Sequence, residues 1–299
     1  MKEEKLLKAF ANYHPIVIFL YFVFVIGLTM FYMHPIYLII SLAMSILLSL
    51  QINQKSFLHS LKWMVPLFVI AALINPLISH DGEKIILYID NNPITIEAIV
   101  YGFAMSVMIC TFIFWFGCYN KLMTSDKFLY LFGKISPAFA LIISLTLRLV
   151  PRFQQQIGAI TQAQRAVGMD VTSGNLLHRI KCGIHILSIL ITWALENAIE
   201  TADSMKARGY GLPKRSTFSL FSFEKRDALT LTIMFILITI NVIGSFLGYT
   251  DYYFYPTFSE LALQPISLLL YTTYTLLLAL PIIIELWEAF KWRSLISNN

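Results

Sequence analysis

The chain has 299 residues, of which 58% are hydrophobic and only 13% are charged. Soluble domains carry about 25% charged residues, so this composition excludes an ordinary soluble protein and predicts an integral membrane protein. Basic residues outnumber acidic ones by 22 to 17. In a membrane protein such an excess reports topology, and we expect no nucleic-acid partner.

Long apolar runs are the first elements that the sequence predicts. The hydrocarbon core of a bilayer takes about 20 apolar residues as a helix. Six runs meet this length closely and are predicted to span the membrane: 16–33, 35–51, 63–79, 98–118, 229–248 and 265–287. Only His34 lies between the first two runs and Pro35 begins the second, which predicts a tight hairpin, because proline ends one helix and can begin the next.

The short loops between these runs predict the orientation of the chain. The connections 80–97 and 249–264 are acidic, whereas the N-terminal arm, the connection 52–62 and the C-terminal tail are basic. Short basic loops stay in the cytoplasm. Six spans with both termini in the cytoplasm satisfy all of these loops at once.

The segment between the fourth and fifth runs, residues 119–228, carries 14 of the 22 basic residues. It nevertheless contains the apolar stretches "PAFALIISLTLRLVP" (137–151) and "GIHILSILITWAL" (183–195), which are too short to span comfortably and are typical of buried or membrane-surface helices. We therefore expect three regions: four spans in 1–118, a cytoplasmic or membrane-surface domain in 119–228, and two spans in 229–299.

Two long helices are predicted within this domain. One covers about 137–166, with a bend at Pro151, and the other covers 175–207. Glycine just past a helix is a common stop signal, because it accepts the left-handed backbone with little strain. Each helix accordingly ends in a similar tip, "AQRAVG" (163–168) and "SMKARG" (204–209).

The arginines of these tips have two interpretations. Basic side chains in a last helical turn interact favourably with the helix dipole, by about 0.3–1 kcal/mol, so they can simply finish the helices. Alternatively, the tips dock on a partner, since small neighbours allow a close approach and a guanidinium offers five donors to carboxylates or carbonyls.

Motifs of catalysis and metal binding are absent from the sequence. There is no Walker A loop, no GxSxG or HExxH motif, and no pair of histidines at ligand spacing. The three cysteines, Cys110, Cys118 and Cys182, form no CxxC pair. We expect a non-catalytic protein without a cofactor or a metal site, acting as a coupling part.

Four stretches carry a family resemblance: "NPITIEAIVYGFAMSV" (92–107), "LTLRLVPRF" (145–153), "AQRAVG" (163–168) and "MKARGYG" (205–211). The chain resembles the transmembrane T component of energy-coupling factor (ECF) transporters, a family that includes the Q-type subunit of cobalt importers. The resemblance implies an all-α integral membrane protein. It would have about six transmembrane helices and a cytoplasmic pair of long coupling helices inserted between spans four and five.

The resemblance also implies partners and a function. A T component joins two ABC-type ATPase subunits to a small membrane substrate-binding S component, in a bacterial or archaeal cell membrane. The complex imports a micronutrient, either a vitamin or a transition-metal ion. ATP hydrolysis lies in the separate ATPase subunits. When the ATPases close, the two tips move, and the apolar stretches 137–150 and 183–195 transmit this motion to the S component within the lipid bilayer.

In this family two Ala-Arg-Gly motifs end the coupling helices and sit in grooves of the ATPase pair. The second motif is matched in full by Ala207, Arg208 and Gly209. At the first motif Ala166 and Gly168 match, but Val167 takes the central position and the nearest cation is Arg165. Either Arg165 makes the contact between the first motif and its ATPase, or that ATPase is held by apolar packing.

Arg148 and Arg152 flank Pro151 in an otherwise apolar helix. One interpretation is an ordinary buried arginine that is hydrogen-bonded to backbone carbonyls. The other is a brace that holds the angle between the coupling helices.

Three alternatives remain at this point. A permease subunit of a conventional ABC importer would also dock on ATPases, but it normally shows one coupling loop and not two matched tips. A multi-pass membrane enzyme would need a cluster of acids, a nucleophile or a metal site. A membrane scaffold without transport is the third possibility.

Overall fold

The computed structural model describes residues 8–52, 54–79, 81–89, 92–212, 221–260 and 264–297. The elements in chain order are α1 (Lys8–Ala11), α2 (Pro15–Phe31), α3 (Pro35–Ile52), α4 (Gln54–Ile78), β1 (Ile85–Ile89), β2 (Asn92–Thr95), α5 (Ile96–Leu122), α6 (Ser125–Ile135), α7 (Pro137–Ala166), α8 (Leu176–Ala207), α9 (Lys225–Phe246) and α10 (Pro265–Ser297). The chain divides into two units, one made of Met1–Phe128 with Phe221–Asn299 and the other of Leu129–Leu220. The finer three-region division expected from the sequence stays a prediction.

In the described part of the chain, six helices are long and apolar enough to cross a bilayer. Five of them, in α3, α4, α5, α9 and α10, coincide with predicted spans, so an all-α multi-pass membrane protein is confirmed. Two details differ from the sequence prediction. The first predicted span is the 17-residue helix α2, and α8 is the sixth helix that qualifies by length and composition. The apolar stretch 183–195 lies inside a continuous helix of 32 residues, so α8 meets the length that the stretch alone does not.

A hydrogen-bonded cluster of hydroxyl groups joins four helices of the first unit. The hydroxyl of Thr29 in α2 lies 2.9 Å from that of Ser41 in α3 and 3.2 Å from that of Tyr274 in α10. The indole Nε1 of Trp115 in α5 donates to Ser41 Oγ at 3.0 Å. Such interhelical bonds contribute about 0.6–2 kcal/mol each in a membrane. They make the C-terminal helix α10 part of the bundle core, where Tyr274 is fully buried.

The connection before α5 forms an antiparallel hairpin of β1 and β2, which the sequence analysis did not anticipate. The hairpin leads directly into a well-capped helix. The hydroxyl of Thr95 accepts the Ala98 amide at 3.3 Å. The buried carboxylate of Glu97, in the first turn of α5, accepts the Lys84 amide at 3.3 Å. A negative charge at this end of a helix also interacts favourably with the helix dipole.

The N-terminal residues Ala11 and His14 contact the two places at which the chain leaves the first unit, near Phe128, and returns to it, near Phe221. The buried Lys127 Nζ, near the start of α6, donates to the carbonyls of Ala11 at 2.7 Å and Leu122 at 2.9 Å. Burial lowers the pKa of this amine. At the start of α9, the buried Asp227 accepts the amides of His14 at 3.1 Å and Glu224 at 2.9 Å.

Replacing Asp227 by alanine is expected to destabilise the first unit by about 2–4 kcal/mol, because it leaves the buried amide of His14 and the part-buried amide of Glu224 without their acceptor. Unfolding in mixed detergent micelles titrated with a denaturing detergent measures the change. The exposed Asp251→Ala is the matched control and should stay within about 0.5 kcal/mol of wild type. Equal stability of the two variants would contradict the role assigned to Asp227.

Candidate docking site at two helix ends

The C-terminus of α7, here called the first tip (residues 164–169), closes with two specific backbone bonds. Val167 is the C-cap residue, with φ −93° and ψ 8°, and Gly168 has a left-handed φ of +84°. The Gly168 amide donates to Arg165 O at 3.1 Å, and the Met169 amide donates to Gln164 O at 2.9 Å. This pair of bonds is a Schellman motif, which satisfies the last carbonyls of a helix.

The C-terminus of α8, the second tip (residues 205–210), closes in the same way. Arg208 is the C-cap residue, with φ −83° and ψ 6°, and Gly209 has φ +81°. The Gly209 amide donates to Lys206 O at 2.9 Å, and the Tyr210 amide donates to Met205 O at 3.0 Å. The triplets 166–168 and 207–209 therefore occupy equivalent backbone positions. The structure thus has the same local geometry at both sequence motifs, and Val167 stands where the other tip has Arg208.

Side chains of the loop after the first tip bind its cation, Arg165, at the surface. Arg165 Nε and Nη2 contact the two carboxylate oxygens of Asp170 at 3.1 and 3.3 Å, and Nη2 also donates to Thr172 Oγ1 at 3.0 Å. Val167, in contrast, is 79% exposed. The first tip consequently presents an aliphatic side chain at its apex, while its arginine is engaged by the loop that follows.

The carboxylate of Asp170 is held in its charged form by that loop. Hydrogen bonds from the backbone amide and the hydroxyl of Thr172, with Arg165 as a further contributor, lower the pKa of Asp170 from 3.8 to about 2. A lowered pKa means that the contribution of the ion pair is fully present above pH 3.8 and is lost as the pH falls through about 2. Changes of pH near neutrality therefore leave Arg165 bound to Asp170.

The second tip has the opposite character. Arg208 is exposed, and its guanidinium makes no hydrogen bond or ion pair with any other residue that the structure describes. Its neighbour Lys206 lies 4.0 Å from Asp203, and both of these side chains are more than two-thirds exposed. Leu212, whose amide donates to Gly209 O at 3.2 Å, is 71% exposed. The second tip thus presents an exposed guanidinium, and an exposed apolar side chain follows it in the chain.

Asp170 and Thr172 are the residues at these tips that the sequence reasoning missed. An Asp-x-Thr sequence directly after a predicted helix end is a signal for a side chain that bonds its own backbone two residues on. This signal, with an arginine five residues earlier, could have indicated the contact.

The third group of predicted site residues lies in the middle of α7. Arg148, Pro151 and Arg152 are all exposed, and neither arginine makes a hydrogen bond or ion pair with another residue in the described ranges. The interpretation as buried arginines bonded to carbonyls is therefore wrong, because the side chains stay at the surface. The brace stays a prediction. The contact that joins α7 to α8 here is aromatic, with the rings of Phe153 and Trp193 5.5 Å apart.

An apolar stripe runs along α8. Its exposed members are Ile180, Ile184, Leu187, Ile191 and Leu195. Residues three and four apart lie on one face of a helix. A contiguous exposed stripe of this kind is typical of a surface that contacts lipid or another protein.

The two tip glycines offer a matched test of the capping geometry. Alanine at either position must adopt a left-handed backbone, at a cost of about 1–2 kcal/mol. A Cβ on Gly168 meets no atom within 4 Å, whereas a Cβ on Gly209 meets Leu212 Cδ1 at 3.0 Å. We expect hydrogen exchange at the Met169 and Tyr210 amides to accelerate roughly 5- to 30-fold in Gly168→Ala and Gly209→Ala, respectively. Unchanged exchange in both variants would contradict the capping geometry.

Comparison with known proteins shows to which family the chain with these two tips belongs. A profile of the CbiQ family of cobalt transport proteins matches residues 10–220. This chain belongs to that family. The match includes both tips and the whole of α7 and α8, so the resemblance inferred from the sequence motifs is confirmed.

Curated relatives carry the name energy-coupling factor transporter transmembrane protein EcfT. The protein of Staphylococcus aureus is 33% identical over 96 residues, which are 32% of this chain and 36% of the relative. The protein of Streptococcus equi is 37% identical over 98 residues, 32% of this chain and 36% of the relative. That of Lactococcus lactis is 36% identical over 104 residues, 34% and 39% of the two chains. The matched region thus spans less than two-fifths of each of these relatives.

Proposed function

We propose that this CbiQ family member is the transmembrane coupling subunit of an ATP-driven ECF-type importer of a micronutrient, either a vitamin or a transition-metal ion. The observation that carries the proposal is the pair of equivalent Schellman ends at α7 and α8, with different exposed side chains at equivalent positions. The chain transmits motion and does not catalyse; ATP hydrolysis takes place in two ABC-type ATPase subunits that bind the tips.

The two tips dock on the ATPase pair by different chemistry. At the second tip, Arg208 enters a groove lined by carboxylates or carbonyl oxygens, and the small Ala207 and Gly209 allow the backbone to come close. At the first tip, Val167 enters an apolar groove of the other ATPase. The bond between Arg165 and Asp170 supports this assignment over a direct contact by Arg165, since breaking that pair would oppose docking.

The apolar surfaces of α7 and α8 contact the membrane-embedded S component. The stripe of α8 defined above supports this contact, as do Phe139 and Ile142 on α7, which are both more than half exposed. Closing of the ATPases around ATP moves the tips. The two long helices carry this movement to the S component, which reorients and releases its substrate into the cytoplasm. Both termini and both tips lie on the cytoplasmic side of a bacterial or archaeal membrane.

Purification of the tagged chain from native membranes tests the proposal. Two nucleotide-hydrolysing subunits and one small apolar membrane protein should co-purify, and the complex should hydrolyse ATP while the chain alone does not. Hydrolysis of ATP by the chain alone, or labelling of a cysteine at position 208 from the outer face of intact cells, would overturn it.

A further inference from the structure

The hairpin of β1 and β2, between the spans α4 and α5, exposes apolar side chains on both of its faces. Strand β1 has the sequence IILYI, without a charged residue. Ile85, Ile86, Leu87 and Tyr88 are each between 46% and 65% exposed. Leu87 and Tyr88 are neighbours in the strand and therefore point to opposite faces. Contiguous exposed apolar surface of this kind is typical of a contact with a membrane or another protein.

The base of this hairpin is bonded to the first residues of α5. The amide of Ile96, the first residue of that helix, donates to Lys84 O at 2.9 Å. The Lys84 amide donates to Glu97 Oε2 at 3.3 Å, and the Thr95 hydroxyl donates to Asp81 O at 2.6 Å. Strand β1 begins at the residue after Lys84. Its apolar side chains therefore start at the border at which α5 leaves the bilayer.

The two spans that the hairpin joins expose apolar side chains at the same membrane face. In the last two turns of α4, Leu73, Leu77 and Ile78 are 58%, 63% and 74% exposed. In the first two turns of α5, Val100 and Phe103 are 38% and 53% exposed. Exposed apolar side chains of a membrane-spanning helix face the lipid. The apolar surface of β1 thus continues, along the chain, the lipid-facing surface of both spans.

The backbone of the hairpin limits how deep it can lie. The sheet has two strands, so the edge of β1 away from β2 is unpaired in the part of the chain that the structure describes. Open sheet edges do not occur in the hydrocarbon region, because nothing there satisfies their amides and carbonyls. The headgroup region, about 5–8 Å thick on each side, supplies water to them. Tyr88 fits this level, since tyrosine is enriched at membrane–water interfaces.

We propose that the hairpin lies along the membrane in the headgroup region, with phospholipid in contact with both of its faces. A strand of five residues is about 17 Å long at 3.3 Å per residue. An upright hairpin would therefore pass through the headgroup region and bring apolar side chains into water. Under the proposed function, the leaflet concerned is the outer one. The hairpin proposal itself requires only that α4 and α5 cross the membrane, so it does not depend on docking of ATPases.

Spin labels on the full-length chain in phosphatidylcholine nanodiscs test the proposal. A nitroxide is attached to Leu87→Cys or Tyr88→Cys, and the signal of identically treated wild type, whose described cysteines are buried, is subtracted. Collision rates are measured with oxygen, which enters lipid, and with a polar nickel complex, which stays in water. We expect the ratio of the oxygen rate to the nickel rate to be about fivefold higher at both positions than at Glu83→Cys, because a polar reagent is excluded from lipid.

Glu83 is the matched control position because it is exposed and lies on the same connection, just before the apolar strand. A second pair of variants changes the strand itself. With the label at position 87, Ile86→Asp should lower the ratio toward that of position 83, whereas Ile86→Leu should keep it. Equal ratios at positions 83, 87 and 88 would place the hairpin in water and overturn the proposal. Slow collisions with both reagents at positions 87 and 88 would overturn it too, because a protein surface would then cover the hairpin.

Discussion

Substitution of Arg208 by glutamate is expected to abolish co-purification of the ATPase subunits while leaving membrane insertion intact. The guanidinium is exposed and makes no bond with another described side chain, so the substitution breaks no interaction among these residues. In the docked state it places a carboxylate where carboxylates or carbonyl oxygens receive the arginine. Breaking such an interfacial charge pair costs about 2–5 kcal/mol, which corresponds to a loss of affinity of roughly 30-fold or more. Affinity purification of the tagged chain with quantification of bound ATPase measures it.

Lys206→Glu provides the matched control for this experiment. It makes the same change of charge at the same tip, but Lys206 is directed to Asp203, 4.0 Å away, and is not the C-cap side chain. We expect it to retain most of the bound ATPase. If the Arg208→Glu variant binds ATPase at wild-type levels, Arg208 is not part of the docking site. If both variants lose ATPase equally, the contact is general electrostatic attraction and not a specific contact of Arg208.

The second large effect is expected at the first tip, where Val167→Asp should remove one of the two ATPases. Val167 is 79% exposed, and burying such a side chain in an apolar groove contributes about 1.5–3 kcal/mol. An aspartate loses this contribution and adds the cost of desolvating a charge. Native mass spectrometry of the purified complex should then show one ATPase per coupling subunit in place of two, with the second tip still occupied.

Two companion variants distinguish apolar packing from a contact by Arg165. Val167→Leu keeps an aliphatic apex and should preserve both ATPases. Arg165→Gln loosens the loop around Asp170 but should weaken docking no more than about threefold, as expected for an exposed ion pair outside the interface. If Arg165→Gln loses an ATPase while Val167→Asp keeps both, then Arg165 makes the contact and the apolar assignment is wrong.

Much of the fold could be predicted from the sequence because the determining interactions are local. The bounds of α7 and α8 agree with the predicted helices within a residue, since glycine at 168 and 209 allows the left-handed turn that ends a helix. Most spans follow from composition in the same way, because a bilayer admits only backbone that satisfies its own hydrogen bonds. The equivalence of the triplets 166–168 and 207–209 also follows from local sequence.

The sequence by itself thus determined the membrane class, the two long helices and their paired tips. Only the tertiary structure decided which side chains those tips present. Arg165 and Asp170 are separated by a helix end, so their bond depends on the path of the loop and leaves Val167 as the apex. Likewise, the place of α10 in the bundle depends on Tyr274 meeting Thr29, 245 residues earlier in the chain. The contact of Tyr274 with Thr29 arises from packing between distant segments, and no local pattern of residues encodes it.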